Sequence, residues 1–348
     1  MRWFPRVPCV VFSKHERVPL MREDPAYISQ TTGAPMRVVL LGASGTIGGA
    51  VLDVLLADGH EVICPLRRAD ASVPEQVQRV IGDLSAPDLL KDAMRGADAV
   101  VSCLASRSGA PGDAWAVDHG LNMTTLRAAE AQGVGRFVLL SAICVQKPVL
   151  AFQKAKLAFE AELRASDLCH VIVRPTAFFK SLSGQMDRIR AGKPYLAFGD
   201  GRMTACKPIS DGDLARFMVN ALTNPACDNR ILPVGGPGPA LTPEDQGRLL
   251  ADSLGVPFRM KRVPVGLLDA IIATLSVTGR LNRRARAKAE LARIGRYYAT
   301  ESMLVWDETR QRYDADATPE FGQDRLEEFY ARLAAGEIAL ERGDHAVF

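Results

Sequence analysis

The sequence predicts an α/β fold, a doubly wound parallel sheet with a smaller C-terminal lobe. Three observations predict it. Short β-branched and aliphatic runs alternate with stretches of helical periodicity from Met36 to Thr176, the pattern of consecutive βαβ units. The first run passes directly into a glycine-rich turn. The composition, 348 residues with 47% apolar and 24% charged side chains, allows a large core and excludes disordered, collagen-like and coiled-coil chains.

Residues 1–35 have no period and read as a flexible extension; Lys14, His15, Glu16 and Arg17 interrupt the apolar stretch that a secretory signal needs. The first strand is Arg37–Leu41, followed by Gly42-Ala43-Ser44-Gly45-Thr46-Ile47-Gly48-Gly49. Ile47, Val51, Leu52, Leu55 and Leu56 then repeat at helical spacing up to Asp58-Gly59. Strand, glycine turn and helix together form a Rossmann-type dinucleotide signal. The glycines let backbone approach a pyrophosphate, and the helix N-terminus offers it free N–H groups. Gly42, Ser44, Gly45, Thr46, Ile47 and Gly48 are therefore expected at the cofactor. The G-x-x-G-x-x-G spacing resembles that of the extended and atypical short-chain dehydrogenase/reductases.

The second strand, Glu61–Leu66, is followed by Arg67 and Arg68, where an NAD-selective site usually carries an acid for the ribose 2′-hydroxyl. Two cations suit a 2′-phosphate, so the expected cofactor is NADPH. The third strand and its turn are Arg79–Leu84; the superfamily resemblance implies that Asp83 and Leu84 frame the adenine. Ala99–Leu104 is the fourth strand, Arg136–Ser141 the fifth and Val171–Thr176 the sixth. Ligands of such sheets lie beyond the strands' carboxyl ends, which adds Leu104, Ala105, Ser141 and Pro175 to the expected cofactor contacts.

Common short-chain reductases carry Y-x-x-x-K after the fifth strand, with Tyr as proton donor to a carbonyl oxygen. Here Phe152-Gln153-Lys154-Ala155-Lys156 keeps the spacing with Phe in the tyrosine place, and no tyrosine of this chain has Lys four residues later. Lys156 and Glu160, one helical turn apart, can face the same side of a helix. That K-x-x-x-E pattern resembles the isoflavone-reductase-like and NmrA-like groups, and Lys156 is the candidate catalytic residue as well as a cofactor contact. A missing phenol suits reduction of a conjugated carbon–carbon double bond, where the proton goes to carbon.

Arg174-Pro175-Thr176-Ala177-Phe178-Phe179-Lys180-Ser181-Leu182-Ser183-Gly184-Gln185 resembles the signature of the NADPH-dependent divinyl chlorophyllide a 8-vinyl reductase family. Gly199-Asp200-Gly201, Lys207-Pro208-Ile209-Ser210, Tyr298-Ala299-Thr300-Glu301-Ser302-Met303 and Thr318-Pro319-Glu320-Phe321-Gly322 match it further. The resemblance covers about residues 36–335. It implies reduction of the 8-vinyl group of a divinyl chlorophyllide or protochlorophyllide to ethyl, in chlorophyll or bacteriochlorophyll synthesis. For a flat, mostly apolar macrocycle with a carboxylate, Phe178 and Phe179 are candidate walls, with core packing expected for one of them. Lys180 and Arg202 are candidate carboxylate partners. Two other readings stay open: a non-catalytic NmrA-like NADP(H) sensor, and a reductase of another conjugated alkene.

The expected organisation is an extension at 1–35, an NADP-binding domain at 36–176 and a substrate lobe at 177–348. Within the lobe, Asp211-Gly212-Asp213 opens a helix, with an acid expected at its cap. The segment 265–277 is mostly apolar, and 280–296 carries seven Arg or Lys, so 265–296 is a candidate contact with an anionic membrane surface. No nucleic-acid partner is expected at a net charge of +3. Cys9, Cys64, Cys103, Cys144, Cys169, Cys206 and Cys227 include no C-x-x-C pair, so no cysteine-held metal or iron–sulfur centre is expected. Reduced thiols and a cytoplasmic location follow.

Overall fold

The computed structural model describes residues 34–69, 73–279 and 282–339, with backbone alone for Arg283 and Arg284. Residues 1–33 of the expected extension, with Cys9, lie outside the described residues, as does Arg280 of the basic segment. The first half runs β1 (Arg37–Leu41), α1 (Thr46–Ala57), β2 (Glu61–Leu66), β3 (Gln78–Ile81), α2 (Pro87–Met94), β4 (Ala99–Ser102) and α3 (Pro111–Ala114). A π-helical segment, Trp115–Leu121, joins α3 to α4 (Asn122–Ala131); β5 (Arg136–Leu140), α5 (Ala151–Ala165) and β6 (Cys169–Pro175) follow.

These strands form a seven-stranded sheet in the order β3-β2-β1-β4-β5-β6-β8, every neighbouring pair parallel. Its last member, β8 (Arg230–Val234), comes from the second half of the chain. Alternation along β1 drives the layering. Val38 and Leu40 belong to a core with Val51 and Leu55 of α1, while Val39 and Leu41 belong to one with Leu90, Leu126, Phe159 and Leu163. The sheet is therefore covered on both faces, as an all-parallel sheet must be.

The rest of the chain contains α6 (Phe179–Leu182), α7 (Met186–Arg190), β7 (Tyr195–Phe198), α8 (Asp211–Thr223), α9 (Pro243–Ser253) and β9 (Met260–Val263), with β7 and β9 paired in parallel. Helix α8 returns to the sheet and packs beside α1 through Leu214, Met218 and neighbours. The helices α10 (Val265–Thr278) and α11 (Arg283–Thr300) pack on one another, and α12 (Leu326–Ala335) closes a separate core with Phe179, Met186, Tyr195 and Leu250. Among the described residues no helix is long and apolar enough to cross a membrane.

Candidate functional site: a crevice at the carboxyl ends of β1 and β4

The strand order reverses at β1, which pairs with β2 on one side and β4 on the other, so a crevice opens there. Its first wall is the glycine loop. Gly42 has φ +81°, and a Cβ there would stand 2.8 Å from the Cys103 carbonyl oxygen. A Cβ on Gly48 would stand 2.0 Å from the Gly42 oxygen, whereas at Gly45 the same gap is 3.3 Å. Gly42 and Gly48 are thus obligatory for the turn, and Gly45 far less so. Among the described residues no side chain caps α1, which leaves the N-terminal N–H groups of Thr46, Ile47 and Gly48 open to an anion. Ser44, Gly45 and Thr46 are exposed at the mouth. From α6, Lys180 reaches back so that its Nζ donates to Thr46 Oγ1 at 3.1 Å.

Arg67 and Arg68 are exposed immediately after β2. Asp83 is set by an Asx turn: its Oδ1 accepts from Ser85 N (2.9 Å) and Ser85 Oγ (2.7 Å), which holds the carboxyl below the usual range. Leu84 is buried beside it, Leu104 is half-buried after β4, and Ala105 is exposed.

Side chains build the far end of the crevice. Lys156 on α5 is buried, and its Nζ lies 3.1 Å from Asp118 Oδ1. Asp118 sits in the π-helical segment, the kind of irregularity often found at functional sites. Its Oδ1 also faces the Ser106 N–H at 3.4 Å, but its Oδ2 is buried with no partner among the described residues. Glu160 accepts instead from Ser141 Oγ and from both Nε (3.2 Å) and a terminal nitrogen of Arg174. Lys156 and Glu160, one turn apart on α5, are both buried, and each is paired with a different group. Pro175 ends β6 in a buried position next to Arg174. Phe152 is half-buried, with its ring 3.6 Å from where a Gly109 Cβ would stand.

A dinucleotide fits these residues. At one end there is a cradle that a Cβ would fill, and at the other an unpaired carboxylate oxygen able to accept from a ribose hydroxyl.

A family model described as NAD(P)H-binding matches residues 42–225. The chain is 43% identical to a chloroplastic divinyl chlorophyllide a 8-vinyl-reductase from Zea mays, over 89% of this chain and 82% of that one. It is 38% identical to the reductase of the same name from Cucumis sativus, over 97% of this chain and 87% of that one. The chain belongs to the divinyl chlorophyllide a 8-vinyl-reductase family. Among solved structures, an NADPH-dependent quinone oxidoreductase from Escherichia coli in complex with NADPH shares the fold. Its TM-score is 0.63 at 15% identity, covering 86% of this chain and all but a sliver, 99%, of that one.

Within this 8-vinyl-reductase family chain, the residues expected on the substrate side divide. Phe179 is buried in the lobe core, 5.5 Å from the Phe329 ring, so it packs the fold and cannot form a wall. Phe178 is half-buried against the core beneath α8. Arg202 is exposed, with its guanidinium bound to Glu244 at 2.8 and 3.3 Å, and Arg248 takes the same carboxylate at 2.6 Å. Those hydrogen bonds hold Glu244 at about 2. Lys180 lies at the phosphate loop, a position that suits an anion of the cofactor. The helix cap is also corrected. Ser210, one residue before the expected acids, accepts from Asp213 N at 2.9 Å. Asp213 turns inward to accept from the N–H groups of Gln323 and Asp324.

Sequence reasoning missed Asp118, because a π-helical turn has no propensity signature. Among the described residues no group of three His, Cys, Asp or Glu could hold a metal ion. Burial pushes the thiols of Cys64 and Cys206 up to about 12, which fits small apolar fillers rather than nucleophiles.

Proposed function

We propose that this chain reduces the 8-vinyl group of divinyl chlorophyllide or protochlorophyllide to ethyl at the expense of NADPH. The observation that carries the reading is identity of 38–43% to reductases of that name over about nine-tenths of the chain. When bound, the cofactor supplies a hydride. The glycine loop and Lys180 hold its pyrophosphate, Arg67 and Arg68 its 2′-phosphate, and the Asp83–Leu84 turn its adenine. Backbone of Leu104 and Ala105 lines its central part. Lys156 donates to the nicotinamide ribose while Asp118 accepts from it, which fixes the ring against the substrate. Ser141, Glu160, Arg174 and Pro175 brace that end. Phe152 withholds a phenol from the place where carbonyl reductases keep one, which favours chemistry at a conjugated double bond.

Incubation of the purified chain with NADPH and divinyl chlorophyllide tests this. Monovinyl product, followed by the Soret shift, supports the reading. Cofactor binding without product favours an NADP(H) sensor, and turnover only of another alkene favours the second alternative.

A membrane contact is part of the proposal. On α10, Leu267, Ile271 and Val277 are 51%, 39% and 65% exposed, an apolar stripe unusual on a helix turned to water. Arg296 of α11 pairs with Asp269 of α10, while Lys288 stays exposed on the basic helix. Such a hairpin suits an anionic bilayer surface, where a hydrophobic tetrapyrrole partitions. Flotation with anionic liposomes at low salt checks it; absence of binding removes this part.

A further inference from the structure

Phe152 removes the usual phenol, yet α11 brings two tyrosines to the cluster in which Phe152 and Cys144 pack. Ile294 of α11 has its Cδ1 2.8 Å from where a Gly109 Cβ would stand, the point that Phe152 approaches to 3.6 Å, so α11 crosses over Phe152. One turn further along α11 come two tyrosines that meet Cys144, in the short helical turn after β5. Tyr297 is buried, and its hydroxyl is committed, donating to the Cys144 carbonyl at 2.8 Å. The Tyr298 hydroxyl lies 4.0 Å from Cys144 Sγ, its sole hydrogen-bond contact among the described residues. Tyr298 as a residue is 38% exposed, while its hydroxyl lies against the buried Cys144. Cys144 itself feels the charge of Lys156.

Resting on the reduction proposed above, we propose that the Tyr298 hydroxyl is the proton donor to carbon in this reaction. Hydride addition forms a C–H bond at one vinyl carbon and breaks the π bond, whose electron pair moves to the other carbon and into the macrocycle. The O–H bond of Tyr298 then breaks and a second C–H bond forms there; water reprotonates the phenolate. The weak thiol contact leaves that proton free to move, and the partly exposed side chain can meet a flat substrate. Burial of the hydroxyl, with the Cys144 thiol and the Tyr297 phenol as its ionisable neighbours, holds the Tyr298 phenol well above its usual range. It therefore stays protonated between turnovers, and a carbanion is basic enough to take its proton. The family motif Tyr298–Met303 thereby gains a chemical role.

The test uses the full chain with Tyr298→Phe. The expected result is a kcat lower by about a hundredfold, the usual scale for a positioned acid, with the NADPH dissociation constant unchanged and the solvent deuterium isotope effect altered. A kcat within about twofold of wild type, with the same isotope effect, overturns the proposal. Incorporation of 3-fluorotyrosine at position 298 keeps the shape and lowers the phenol's pKa, so the alkaline limb of kcat should move to lower pH; an unmoved limb overturns the assignment even if Tyr298→Phe misfolds. In the cofactor-free protein, the tyrosinate absorbance lost in Tyr298→Phe should titrate above the ordinary phenol range, and an ordinary titration contradicts the buried hydroxyl. Wild-type protein that makes no monovinyl product counts against the reduction itself, separately from the donor.

Discussion

The two ends of the crevice are built from different materials. At the phosphate end the contacts are backbone, and the requirement is for side chains to be absent: Gly42 and Gly48 leave no room for a Cβ. At the end proposed for the ribose the contacts are buried charges from distant segments, Lys156 with Asp118 and Glu160 with Arg174. A second contrast lies within that end. Glu160 has hydrogen bonds to both carboxylate oxygens, whereas Asp118 keeps one oxygen buried and unpaired among the described residues. A saturated carboxylate braces a structure, while an unsaturated one is poised for a ligand.

Lys156→Met should break the ribose end most severely. It leaves the Asp118 carboxylate buried without a cation, at a cost of about 3–5 kcal/mol, and removes activity. Asp118→Asn added to it should restore much of the stability in urea unfolding without restoring turnover. Recovery of both would show that the pair only holds the fold.

Gly48→Ala should act at the other end, lowering NADPH affinity by about a hundredfold through loss of the turn, roughly 2–3 kcal/mol. Gly49→Ala is the comparison, because its Cβ would meet nothing closer than 3.6 Å. Fluorescence titration of NADPH separates them, and equal losses would contradict the cradle. At the adenosine edge, Arg67→Ala with Arg68→Ala should raise KM for NADPH about tenfold or more, the worth of one or two charge-assisted contacts. KM for NADH should hardly change; parallel rises would contradict the 2′-phosphate assignment.

Away from the crevice the smallest effect is expected. Arg202→Ala removes a partner from Glu244 and should leave both KM values unchanged. Because Glu244 is held at about 2, its pairing stabilises the fold above the ordinary carboxylate range and is lost as pH falls towards that value. The difference in unfolding midpoint between Arg202→Ala and wild type should thus be modest near neutrality and vanish in strong acid. A raised KM for the tetrapyrrole would reinstate Arg202 as its carboxylate partner.

The same contrast explains what was legible in the sequence. A glycine loop announces itself because a backbone requirement becomes a residue type at fixed spacing. Six strands stood out as short β-branched and aliphatic runs, but β8, with Arg230 at its start and Pro233 inside it, looks like a loop and becomes an edge strand only beside β6. Lys156 was visible through its place after β5, but its partner was not. Helical spacing points to Glu160, and only the folded π-helical segment brings Asp118 within 3.1 Å. Phe178 and Phe179 were equivalent in sequence and differ in burial, because one turn of α6 directs Phe179 alone into the lobe core.

A single turnover with NADPH deuterated at the transferred position of the nicotinamide tests the central claim most directly. Divinyl chlorophyllide converted by this chain in ordinary water should become a monovinyl product carrying one deuterium in its 8-ethyl group. A product without the label, or no product from a chain that binds NADPH tightly, would contradict it.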